Sequence, residues 1–173
     1  MKRIVITGPE SSGKTTLTRN LARHYGGNWV GEYARTYLEK LNRPYIEEDL
    51  ERIGREQLRQ QRAAGNSRTL LFCDTGLIVL YVWSMVSYQR VQSWLTEALE
   101  RDQTDLYLLT TPDMPWEPDP FREHPEQRDW LFDQYRAYLD RHHVPHRIIN
   151  GPSEAERLEN AITEINLLFP GHI

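Results

Sequence analysis

Gly8-Pro9-Glu10-Ser11-Ser12-Gly13-Lys14-Thr15, set directly behind the apolar run Ile4-Val5-Ile6, is the stretch on which the reading of this chain turns. It fits the pattern G-x-x-x-x-G-K-[ST], with a short β-branched strand before it and a helix after it. Its two glycines let the backbone turn tightly enough for successive N–H groups to converge on phosphate oxygens. The helix opening at Gly13 aims its free N–H groups and the positive end of its dipole at the same anion. Lys14 adds a cation for the β- and γ-phosphates, and the Thr15 hydroxyl is placed to ligate Mg²⁺. Gly8, Glu10, Ser11, Ser12, Gly13, Lys14, Thr15 and the following Thr16 are therefore expected to hold the phosphates of ATP.

Outward from this loop, strand and helix patterns alternate, which predicts a parallel sheet with crossover helices. Strand one covers Arg3–Thr7 and helix one runs from Gly13 to about Tyr25, where Gly26-Gly27 stops it. A short strand at Trp29-Val30 precedes a helix over Glu32–Leu41, and Glu47–Ala64 is a polar helix with acidic residues in its first turn. Thr69–Cys73 is a buried strand ending at Asp74, followed by a long apolar helical region, Leu77–Leu99, with a break near Ser87–Gln89. Leu106–Thr111 is strand four. Five prolines then make Pro112–Pro125 irregular. A helix over Glu126–His142, a fifth strand over Val144–Ile149 and a helix over Ser153–Phe169 capped by Ser153 and Glu156 complete the chain. Pro145 predicts a sheet edge for the fifth strand. The expected architecture is α/β, a doubly wound five-stranded parallel sheet of the P-loop NTPase/kinase type. Residues 1–173 are expected to form a single domain with a lid at about 112–128.

A net charge of -4 and a pI near 5.9 argue against a nucleic-acid backbone or an anionic membrane as the main partner. No apolar run approaches membrane-spanning length, and Met1-Lys2-Arg3 leads into strand one instead of a signal peptide. The single cysteine, Cys73, excludes an intrachain disulfide, suits the reducing cytoplasm and is expected to be buried and inert.

In doubly wound folds ligands gather at the carboxyl ends of the strands, so the strand map is also a site map. Asp74, behind the apolar run Leu70–Cys73, has the place of an acidic Mg²⁺- or water-holding residue. Glu32 ends strand two, where a carboxylate could accept or align the proton of an attacking hydroxyl. The same glutamate could merely complement a helix dipole. Which of Asp74 and Glu32 handles the proton is left open by the pattern. Gln57 sits oddly on the apolar stripe formed by Leu50, Ile53, Gly54, Leu58 and Gln61, with either a ligand or a backbone group as its partner. Trp83 and Trp94, in an apolar helical region, are expected to pack in the core. The proline-rich loop carries Trp116, a flat surface for an aromatic ring, and Arg122, with Arg128 just beyond. Both arginines are placed to bring charge to a transferring phosphoryl group as a lid closes.

The phosphate loop, the element Glu32-Tyr33-Ala34-Arg35 with Tyr37, the run Phe72-Cys73-Asp74-Thr75, and Trp116, Asp119 and Arg122 together resemble the ribosylnicotinamide kinase domain of NadR-type NAD-biosynthesis proteins. The resemblance covers nearly the whole chain in the same order. It implies a cytoplasmic kinase that transfers a phosphoryl group from MgATP to the ribose 5′-hydroxyl of nicotinamide riboside, giving nicotinamide mononucleotide. With it go acceptor contacts from Glu32, Tyr33, Arg35, Trp116 and Asp119, to which the stripe position adds Gln57, and catalytic roles for Lys14, Asp74, Glu32 and Arg122. Multidomain members of the family carry an adenylyltransferase domain before the kinase; no such domain is expected here. Where the family has a tryptophan just before Glu-Tyr-x-Arg, this chain has Gly31. Ring stacking is accordingly expected from Trp29, Tyr33 or Trp116. Kinases for other nucleosides or small alcohols, and regulatory ATPases, share the phosphate loop and stand as the alternative readings.

Overall fold

The computed structural model describes residues 1–65, 70–122 and 125–171. β-Branched and aliphatic residues build β1 (Arg3–Thr7), β3 (Leu71–Asp74) and β4 (Leu106–Thr110), all wholly or nearly wholly buried, as strands covered on both faces must be. With β2 (Asn28–Val30) and β5 (His146–Ile149) they form one five-stranded sheet in the order β2-β3-β1-β4-β5, every neighbouring pair parallel. The doubly wound sheet expected from the alternating pattern is therefore present. β5 lies at an edge, as expected, although it begins at His146 and not at Val144, so Pro145 precedes the strand.

Alternate residues of each strand feed opposite layers. Ile4 and Ile6 pack with Leu17 and Leu21 of α1 (Lys14–Tyr25) and with Ala161 and Ile165 of α7 (Glu154–Leu168). Val5, Cys73 and Leu109 face Ile78 and Val82 of α4 (Leu77–Tyr88) and Leu131, Tyr135 and Leu139 of α6 (Arg128–Arg141). A third cluster joins α2 (Tyr33–Glu39), α3 (Glu47–Ala64), α4 and α5 (Ser93–Glu100) through Ala34, Leu50, Ile53, Leu80 and Leu95. Trp94 packs in that cluster, and Gly54 is what admits it: a Cβ at Gly54 would lie 2.6 Å from the indole. Cys73 is buried, and burial pushes its thiol up to about 12, so it is inert as the sequence implied.

Element boundaries differ from the expectation by small amounts. Glu32 caps α2 instead of joining it, and the apolar helical region splits into α4 and α5, with Gln89 in the left-handed conformation at the break. Thr69, taken as the start of strand three, lies outside the described residues, as do residues 123–124 of the expected lid. Ser153 caps α7: its hydroxyl accepts from the Glu156 N–H and donates to the Glu156 carboxylate.

The register brings the strand ends into line. Ile6 pairs with Asp74 and Thr7 with Leu109, so the chain leaves β1 into the phosphate loop directly beside Asp74 and Thr110. The ends of these strands form one floor.

Candidate active site

The phosphate loop is shaped by its two glycines and held by residues remote in sequence. Gly8 adopts φ 141°, and a Cβ there would lie 2.5 Å from the Thr110 hydroxyl, so only glycine lets the loop cross the end of β4. Thr110 donates to the Thr7 carbonyl at 3.1 Å and shares a 2.6 Å hydrogen bond with Ser12, whose hydroxyl also reaches the Pro9 carbonyl. Gly13, at φ 73°, opens α1. Lys14 lies across the loop, its Nζ donating to the Pro9 carbonyl at 2.7 Å. Burial lowers its pKa, and the carboxylates of Glu32, Asp74 and Glu10 oppose that shift.

Behind Thr15 stands Asp74, 1 % exposed. The Thr15 hydroxyl donates to Asp74 Oδ2 at 2.6 Å, while Oδ1 is buried without a hydrogen-bond partner among the described residues. Burial raises the carboxyl's pKa against the Thr15 hydrogen bond and the charge of Lys14. A buried acceptor without a donor is costly, and a cation relieves it. Among the described residues no cluster of three or more His, Cys, Asp or Glu forms a metal cage. A hydroxyl paired with one carboxylate suits an ion that takes its remaining ligands from phosphates and water, which fits Mg²⁺.

Glu32 is held at the mouth of the loop. Burial, followed by the Asp74 charge, raises its pKa, against the pull of Lys14, Arg35 and Arg122. It lines a cleft of about 650 Å³ together with all of Gly8 to Thr16, Ala34, Arg35, Arg43, Tyr45, Val79, Val82, Trp83, Val86, Arg122 and Tyr135. In the same lining, Trp83 meets Tyr45 edge-on, with ring centres 4.9 Å apart. Arg43 in this wall grips Asp49, fully buried on α3, with two nitrogens at 2.7 and 2.9 Å, and Tyr37 donates to the same carboxylate at 2.7 Å. These bonds hold Asp49 well below the usual carboxylate range.

The proline-rich loop lies down over the phosphate loop. Ser11, in the left-handed region at φ 53°, is its socket. The Ser11 hydroxyl donates to the Pro115 carbonyl at 3.3 Å and accepts the Glu117 N–H at 2.9 Å and Arg122 Nη1 at 3.3 Å. Arg122 also donates to the Glu117 carbonyl, and Arg128 donates to the carbonyls of Ser11 and Met114 at 3.3 and 2.8 Å. Both arginines lie over the Trp116 ring, Arg122 at 6.0 Å and Arg128 at 5.8 Å from its centre. Arg122 lines the cleft and Arg128 does not.

Several residues expected to touch an acceptor find partners elsewhere. Arg35 lines the cleft but pairs with Asp119 of the overlying loop at 2.8 Å, which occupies both. Gln57 is not in the cleft wall: its amide is taken up by the backbone at Gly31 and Tyr33, the second of the two partners its place on an apolar stripe allowed. Trp29 is 43 % exposed beneath Arg19, Tyr33 leans on Tyr37, and neither lines the cleft, nor does Trp116. Trp83, assigned to the core by its apolar surroundings, is the indole that lines it.

Arg157 escaped the sequence reading. Only 1 % exposed, it donates to the carbonyls of Ser12 at 2.6 Å, Thr111 at 3.1 Å and Gly151 at 2.9 Å, and pairs with Asp113. The faint signal was an arginine in the first turn of a helix, on its apolar face.

The fold recurs in solved kinases. A NadR protein crystallised with NR superposes with a TM-score of 0.81 at 24% identity, over 96% of this chain and 51% of that one. A NadR protein crystallised with NAD and AMP-PNP gives a TM-score of 0.78 at 23% identity, over 96% of this chain and 49% of that one. The chain thus spans about half the length of these NadR chains. Thymidylate kinase from Ehrlichia chaffeensis matches with a TM-score of 0.68 at 14% identity, over 97% of this chain and 98% of that one. These likenesses agree with the NadR resemblance at the level of the fold. The family model described as AAA domain matches residues 3–157, from the first residue of β1 to the arginine beneath the phosphate loop, and the chain belongs to that family.

Proposed function

We propose that this protein is an ATP-dependent kinase that phosphorylates the 5′-hydroxyl of nicotinamide riboside. One observation carries the kinase reading: the phosphate loop, Glu32 and the Tyr45–Trp83 pair line one and the same cleft. A nucleotide switch needs a loop for phosphates; it has no need of a chamber that the loop shares with a carboxylate and an aromatic pair. The choice of acceptor is supported by the Glu32-Tyr33-Ala34-Arg35 element and by the fold shared with the NadR protein crystallised with NR. The apolar end of the cleft, with Val79, Val82 and Val86 beside Trp83, suits a planar base.

In this reading the backbone of Gly8 to Thr15 and the Lys14 ammonium hold the ATP phosphates. Thr15 and Asp74 would hold Mg²⁺, which neutralises phosphate charge when bound. The acceptor oxygen attacks the γ-phosphorus, the bond to the bridging oxygen of ADP breaks, and the hydroxyl proton passes to the Glu32 carboxylate. The raised pKa of Glu32 makes it a better base than an ordinary glutamate. Arg122, arriving with the loop over the site, balances the charge that develops on the transferring oxygens. Tyr45 and Trp83 orient the base so that the ribose points at Glu32.

The test is turnover of MgATP with nicotinamide riboside, thymidine or deoxyadenosine, and with no acceptor. Stoichiometric ADP and nicotinamide mononucleotide are expected. Equal phosphorylation of the other nucleosides would remove the acceptor assignment, and ATP hydrolysis indifferent to any acceptor would remove the kinase.

A further inference from the structure

Two buried glutamines one turn apart on α3 have partners that the packing of an apolar stripe does not explain. Gln57 and Gln61 are each 4 % exposed. Gln57 Oε1 accepts the Tyr33 N–H at 2.8 Å and its Nε2 donates to the Gly31 carbonyl at 3.2 Å, so one amide grips the backbone on both sides of Glu32. Tyr33 opens α2, and its N–H is one of the first-turn donors with no acceptor inside that helix. Glu32, the capping residue, makes no side-chain cap to its own helix, which leaves its carboxylate to the cleft. Gln61 repeats the arrangement on the next strand end, its Nε2 donating at 3.4 Å to the carbonyl of Thr75, the residue after Asp74.

We propose that Gln57 is a positioning residue for Glu32: it holds the Gly31–Tyr33 backbone so that the carboxylate is fixed in the wall of the cleft, while the bond from Gln61 steadies the chain beside Asp74. The physical reason is local. β2 is three residues long and lies at the sheet edge, so the sheet alone gives the loop that follows little restraint. A primary amide offers one acceptor and one donor in a fixed plane, which matches a backbone N–H and C=O two residues apart. Neither leucine nor a carboxylate can satisfy both. The catalytic consequence rests on the kinase reading; the clamp itself does not.

The experiment compares the parent with Gln57→Leu, Gln57→Glu, Glu32→Gln and the double variant Glu32→Gln with Gln57→Leu. Gln57→Leu should lower kcat with nicotinamide riboside by about ten- to a hundredfold, the scale of a misplaced catalytic group, with the KM for ATP within about twofold. Gln57→Glu, which keeps the acceptor for Tyr33 N–H, should recover part of the loss. In the Glu32→Gln background the leucine should cost almost nothing more, because it acts through the carboxylate; an additive loss would overturn the positioning role and leave a structural one. Amide hydrogen exchange separates the clamp from the kinase reading. The Tyr33 N–H should exchange about tenfold or more faster in Gln57→Leu than in the parent, and Gln61→Leu should leave it unchanged. Should the parent phosphorylate no acceptor, faster Tyr33 exchange would still uphold the clamp and the kinase reading alone would fall. Unchanged Tyr33 exchange in Gln57→Leu would overturn the clamp, whatever the activity.

Discussion

Lys14 spends its charge on the Pro9 carbonyl, across the mouth of the loop it belongs to. That bond is one a phosphate oxygen can replace without rebuilding the loop. Lys14→Ala should therefore lower phosphoryl transfer by on the order of a hundredfold or more while the melting transition stays near the parent's. Turnover and thermal denaturation on the same preparation check both halves. Glu32 carries the pH behaviour. Its folded pKa is raised, so the folded protein binds the proton more tightly than the unfolded chain does. Stability from this group therefore falls as pH rises from the ordinary glutamate value through the raised one, and Asp74 acts with the same sign. Under the proposed reaction activity runs the other way, because only a deprotonated carboxylate could take the acceptor's proton. We expect kcat to climb with pH through a midpoint above the usual glutamate range. Glu32→Gln should abolish that limb, lower acceptor turnover by about a hundredfold and reduce the pH slope of stability, with ATP affinity by calorimetry nearly unchanged. A collapse of ATP affinity in this variant would show that Glu32 belongs to the nucleotide.

At the scale of elements, the loop after β4 and the helix α2 act on the site together. The loop is fastened at Ser11 on one side and through the Arg35–Asp119 pair on the other, so it bridges the phosphate loop and α2. Arg122 faces the cleft, whereas Arg128 spends its donors on the carbonyls of Ser11 and Met114. Arg122→Ala should accordingly lower kcat by on the order of a hundredfold with a smaller change in the KM for ATP, as expected of a cation that serves the transition state. Arg128→Ala should act more weakly on kcat and more on the order of the loop. The reverse ranking in steady-state kinetics would make Arg128 the cation of the lid.

Across the whole molecule, Arg157 ties the carboxyl end of the sheet together. Its guanidinium reaches the phosphate loop at Ser12, the end of β4 at Thr111, the turn after β5 at Gly151, and Asp113. Asp113 keeps the Thr111 hydroxyl and the Gly151 N–H as donors, but without the buried guanidinium the carbonyls of Ser12, Thr111 and Gly151 all lose a charged donor at once. Arg157→Met should destabilise the protein by about 3 kcal/mol in chemical denaturation and loosen nucleotide binding, although no atom of Arg157 lines the cleft. A loss under about 1 kcal/mol would mean that the arginine merely fills space.

What the sequence determined by itself was whatever is written in near neighbours. The glycines of the phosphate loop, the period-two and helical apolar runs, and Pro145 just before an edge strand state their own conformations, so sheet, helices and phosphate loop were legible before any packing was known. Asp74 and Glu32 were legible one step further, because a strand's carboxyl end is a place that the fold type assigns. The tertiary structure decided every partnership between distant residues. Gln57 grips the backbone 24 and 26 residues away, Arg35 meets Asp119 84 residues on, and Arg157 reaches back 145 residues to Ser12. Trp83 reads as core in its own helix, yet in the fold it shares a cleft wall with Tyr45, 38 residues before it in the chain. An isolated side chain carries its hydrogen-bonding capacity and its apolar area; which group meets that capacity, and which area stays uncovered, is settled by the sheet order and the helices laid upon it.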